Sequence, residues 1–82
     1  RTLDLSHCDI DDTEATLVAA AGVFERAEAV NLSANRISDA GAAALAAGLA
    51  RAHRPPRHID LRYNHVSMSG VRCISEALES RT

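Results

Sequence analysis

The chain has 82 residues, a formal net charge of −2 and a pI near 6.0, so its overall charge points neither to nucleic acid nor to an anionic membrane. Its only aromatic residues are Phe24 and Tyr63, and all nine basic residues are arginine. A core of aliphatic side chains and alanine follows, and phosphate-loop or Schiff-base lysine chemistry is excluded. No apolar run approaches the ~20 residues of a membrane span and no signal-peptide pattern is present, which sets the expectation of an intracellular, cytoplasmic protein.

The first element is the segment Leu3-Asp4-Leu5-Ser6-His7-Cys8-Asp9-Ile10, which reads apolar-x-Leu-x-x-(Asn/Cys)-x-(Ile/Val). It predicts a short strand and a turn, then a helix capped by Asp12 or Thr13 with Leu17 and Val18 on its buried face. The same pattern returns 27 residues later as Val30-Asn31-Leu32-Ser33-Ala34-Asn35-Arg36-Ile37. Ser38 is the expected cap of a second helix, rich in alanine, with Leu45 and Leu49 four apart on its apolar face. Pro55 and Pro56 then end that helix and hold the return extended. A third copy, Ile59-Asp60-Leu61-Arg62-Tyr63-Asn64-His65-Val66, follows at a 29-residue offset, with Ser67 or Ser69 as cap and Ile74 and Leu78 facing inward.

Three strand–turn–helix units are therefore expected, at about 1–26, 27–55 and 56–82. None can bury its apolar face alone, so neighbours must stack, and helix crossovers make the strands parallel. Asn35 and Asn64 hold a recurrent position where the chain leaves the strand; an amide there can replace ladder partners with both donors and an acceptor. Cys8 stands at that position in unit 1 as a weaker substitute. Cys8 and Cys73 are expected to be buried, reduced thiols. Two strand spacings, about 10 Å, exceed the ~7 Å Cα separation that a disulfide tolerates.

These segments resemble the ribonuclease-inhibitor-type class of leucine-rich repeats, which also occurs in NOD-like receptors and the Ran GTPase-activating protein. The resemblance covers nearly the whole chain. Glu14 departs from it, standing where later units have Gly41 and Gly70, and so does the long return over residues 52–57. It implies an α/β, right-handed βα solenoid with parallel strands on a concave face and helices on a convex one. It also implies that partners bind the concave face. Neither end shows a polar capping unit, so a single segment of a longer array is expected.

On such a face the side chains flanking the LxL leucines form columns: Asp4, Asn31 and Asp60; Ser6, Ser33 and Arg62; His7, Ala34 and Tyr63; Thr2, Ala29 and His58. Arg62 and Tyr63 are the expected anchors of a protein partner, being adjacent and of types enriched at binding hot spots. The arginines and histidines of 51–58 could meet an acidic partner or phosphate, or simply form a solvated loop. The four histidines lack metal-ligand spacing, Asp4 and Asp60 are too far apart to share a proton, and there is no phosphate loop. The expectation is accordingly a non-enzymatic interaction scaffold without metal, cofactor, nucleic acid, membrane or small-molecule substrate. Two other readings remain: a regulator of a small GTPase, by analogy with the Ran-activating relatives, and an architectural subunit of a large intracellular assembly.

Overall fold

The computed structural model describes residues 2–25 and 27–79. Three short strands, β1 (Thr2–Asp4), β2 (Ala29–Asn31) and β3 (His58–Asp60), alternate with three helices, α1 (Asp12–Ala20), α2 (Asp39–Arg51) and α3 (Met68–Glu79). The strands form an open parallel sheet in the order β1-β2-β3, with Leu3, Val30 and Ile59 in register. Each strand is three residues long, too short to persist alone, and is held because a neighbouring unit repeats it alongside.

The core lies between sheet and helices. Val30, Leu32, Ile37, Leu45 and Leu49 in unit 2 are fully buried, with Leu3, Leu5, Ile59 and Leu61 packed against them. Phe24, in a turn of 3-10 helix (Val23–Glu25) between α1 and β2, is also buried; the sequence pattern did not single it out. α1 touches α2, and α2 touches α3. Close approach is possible because the helices meet on alanine and glycine: a Cβ at Gly48 would lie 2.9 Å from the Ala19 Cβ. Among the described residues, no helix is long and apolar enough to cross a membrane.

Two expectations about burial are corrected. Leu17 does not face the core but is 63% exposed, because α1 turns Ala15 and Ala19 toward α2 and leaves leucine on the outer side. Cys8 and Cys73 are free as expected, but both are exposed rather than buried. Cys8 sits on the turn after the edge strand β1 with its Sγ 3.3 Å from the Ser6 carbonyl, and Cys73 lies off the α3 face that carries Gly70, Ile74 and Ala77.

Candidate interaction surface

Alternation along each strand sends one set of side chains into the core and the other to the open face of the sheet. On that face the Asp4, Asn31 and Asp60 column is committed to its own backbone. Asp4 accepts from the Ser6 N–H at 3.0 Å and from its hydroxyl at 2.6 Å. Asn31 does the same with Ser33, at 3.0 and 2.7 Å. Asp60 accepts from the Arg62 N–H at 3.0 Å and holds its guanidinium through Nε and Nη2. Each is an Asx turn that fixes the chain as it leaves the strand. The Ser6 hydroxyl and amide hold the Asp4 carboxyl below its usual range, and Arg62 does so for Asp60.

Thr2, Ala29, His58, Asn31, Asp60 and Arg62 together line a shallow groove of about 440 Å³ across the strands. One expected column, Thr2, Ala29 and His58, is complete there, joined by Asn31 and Asp60 of a second and by Arg62 alone of a third, whose Ser33 is buried rather than presented to solvent. The fourth, His7, Ala34 and Tyr63, occupies the turn, and all three residues adopt left-handed backbone, with φ of 55°, 57° and 61°. Tyr63 is 79% exposed. Among the described residues, no group of three or more His, Cys, Asp or Glu side chains could hold a metal.

Behind the turns runs the amide ladder. The Asn35 Oδ1 accepts the Cys8 and Ile10 N–H groups of unit 1, each at 2.9 Å, while its Nδ2 donates to the carbonyls of Leu5, Leu32 and Ser33. Asn64 repeats this one unit on, accepting the Ile37 N–H and donating to Leu32, Leu61 and Arg62 carbonyls. A family model described as Leucine Rich repeat matches residues 1–13 and 28–46, which include β1, β2, both turns and Asn35. The match supports a leucine-rich repeat protein. No curated protein and no solved structure matches the chain significantly. Leucine-rich repeats are generally protein-interaction modules and typically non-enzymatic.

One connection between these units escaped the sequence reading. Asp12, expected as a cap, lies inside α1; the cap is Asp11, which accepts from the Glu14 N–H in a capping box. Asp12 instead reaches across to unit 2, where it accepts the Ser38 amide and hydroxyl and the Gly41 amide. Asp39 receives the Ser67 amide and hydroxyl in the same way. Ser38 and Ser67 therefore precede their helices as expected, and both hydroxyls donate to the preceding unit; Ser38 makes no side-chain cap, whereas the Ser67 hydroxyl also accepts the Ser69 N–H at 3.3 Å and so caps α3. Both carboxyls are held below the usual range, chiefly by those serine hydroxyls. The signal was present: Asp12 and Asp39 are 27 residues apart, the offset of the strands.

Proposed function

We propose that the chain is a segment of a ribonuclease-inhibitor-type solenoid that binds a protein partner through the open, concave face of its sheet. The observation that carries this reading is the self-tied face. Its Asx turns fix the backbone through the chain's own hydrogen bonds, so a partner meets exposed side chains already in place and little ordering cost is left. Thr2, His58 and the aliphatic floor of the groove supply contact area, and Tyr63 stands clear beside it as the aromatic anchor. Arg62 is the secondary contact, since a partner carboxylate must compete with Asp60 for it. His7 extends the surface toward unit 1. The 27- and 29-residue offsets with a full helix in each unit support the subclass. Chemistry is not part of this reading, and its setting is intracellular, where two unpaired thiols are at home.

The test compares faces. A partner cross-linked to the wild-type chain should be lost with Tyr63→Ala and with His58→Ala, and kept with Leu17→Ser on the helix side. Equal loss from both sides would overturn the assignment.

A further inference from the structure

The return from α1 to β2 and the return from α2 to β3 lie side by side. The Arg54 N–H donates to the Glu25 Oε1 at 3.0 Å, and the Arg57 N–H donates to the Glu28 carbonyl at 2.7 Å. Between these returns and the last turns of α1 and α2 is an open hollow of about 260 Å³. Its floor is buried and apolar, formed by Ala19, Phe24 and Gly48. Its rim is exposed, with Ala20 from unit 1 and Arg51 and His53 from unit 2. The hollow exists because the residues around the Phe24 ring carry little side chain: alanine at 19 and 20, and glycine at 48.

The charges at this edge differ from those at the other end of the strands. There Arg36 pairs with Asp9 and Arg62 with Asp60, while Asp11, Asp12 and Asp39 accept from the chain's own N–H groups. Here, among the described residues, no ion pair holds Arg51, Arg54 or Arg57. Arg51 lies in the last turn of α2, where a cation offsets the partial negative charge of the helix end. Arg54 and Arg57 lie beyond that turn, on a return already ordered by the burial of Ala52 and Pro56 and by the two hydrogen bonds to unit 1. Guanidinium groups carried on such a loop can meet a partner at little ordering cost to the backbone. Glu25 is the carboxylate beside the hollow, and its Oε1 is engaged by the Arg54 N–H.

We propose that the hollow and the arginines beside it dock an acidic peptide segment of a partner protein, one aliphatic side chain entering the hollow while flanking carboxylates meet Arg51 and Arg54. Charge complementarity selects that occupant: the floor takes an apolar group and the rim takes anions. A nucleic-acid strand needs exposed rings on which to stack, and the exposed aromatic residue, Tyr63, lies on a turn at the other end of the strands. A membrane surface is met by exposed apolar side chains. Among the described residues the large ones, Leu17, Tyr63, Met68 and Val71, all lie outside both returns. Phosphate groups favour helix N-termini, whereas this hollow lies at the C-terminal ends of α1 and α2. The proposal is independent of the reading of the sheet face, whose groove shares none of these residues.

The probe is a fluorescent peptide of glutamates around one central leucine, titrated with the 82-residue chain and read by anisotropy. Binding should weaken about tenfold when the leucine is replaced by alanine, and severalfold when ~0.5 M salt screens the carboxylates. Ala20→Leu fills the hollow from its exposed rim. It should leave the melting midpoint unchanged and abolish the difference between the leucine and alanine peptides. Arg51→Gln combined with Arg54→Gln should remove the salt dependence, whereas Arg36→Gln and Arg72→Gln should bind as the wild type does. Absence of peptide binding would overturn the proposal. Equal losses with the Arg36 or Arg72 variants would do so by making the attraction unspecific, and a loss confined to Arg62→Gln by moving it to the sheet face. Arginine-dependent capture of oligouridylate or of phosphatidylserine vesicles in preference to the peptide would replace the occupant and overturn it as well.

Discussion

Tyr63 holds φ at 61° while 79% of its surface stays in solvent. For a side chain other than glycine that backbone costs about 1–2 kcal/mol, and an exposed ring recovers little of it by packing. Glycine loses more chain entropy on folding, about 0.5–1 kcal/mol relative to alanine, so the two effects oppose and the steric one is larger. Tyr63→Gly should therefore raise stability by about 0.5–1 kcal/mol, read from the urea midpoint, while abolishing partner capture. A loss of stability would mean that the ring has a structural role. Asn35 is the opposite kind of residue. It is 6% exposed and its amide serves two N–H groups and three carbonyls of two units. Asn35→Ala would strand several of these groups in the interior at about 1–3 kcal/mol each, enough to unfold a chain of this size. Asn35→Asp keeps the acceptor and loses the donors, so its melting midpoint should fall between the two.

At the scale of the elements, glycine in the first turn of a helix decides how closely units stack. Gly41→Ala should gain at most about 1 kcal/mol of helix propensity, the value for a helix interior, yet the new methyl would press on the Asp12 carboxylate and come within 3.3 Å of the Asp12 Cα. Asp12 is held by Ser38 and cannot simply swing away. Overpacking of that kind costs about 1–3 kcal/mol, so the net expectation is a loss, seen as a lower thermal midpoint; an increase would show that the interface yields. The strands and helices themselves were legible because their spacing recurs, and Asn35 and Asn64 were legible because an amide has one evident use at a strand exit. The cap at Asp11 was not, because three acidic or hydroxyl residues stand together at 11–13 and propensity does not choose among them. The exposure of Leu17 was hidden for a related reason: in an alanine-rich helix the small residues take the interface, and the apolar pattern names the wrong face. The Asx turns went unread because alternation tells which way Asp4, Asn31 and Asp60 point, not that the residue two ahead has engaged them.

For the whole molecule, the main contacts among the described residues run between neighbouring units, so cohesion rests chiefly on two junctions and unit 2 belongs to both. Each junction includes one aspartate acting as acceptor, Asp12 or Asp39, whose pKa lies below its ordinary value of 3.8 because serine stabilises the ionised form. A carboxyl with a depressed folded pKa contributes stability above the unfolded value, and that contribution is lost as the pH falls through the folded one. Stability should thus be level above about pH 5 and decline below the ordinary value of 3.8, as both junctions lose their charged acceptor together. Asp4 and Asp60 act in the same direction within their own turns. Ser38→Ala removes the donor that most lowers the Asp12 pKa. It should reduce stability at pH 7 and make the acid decline shallower, as measured by denaturant midpoints between pH 2 and 7. A decline as steep as in the wild type would show that the junctions do not govern acid unfolding and that the turn carboxylates of the sheet face do.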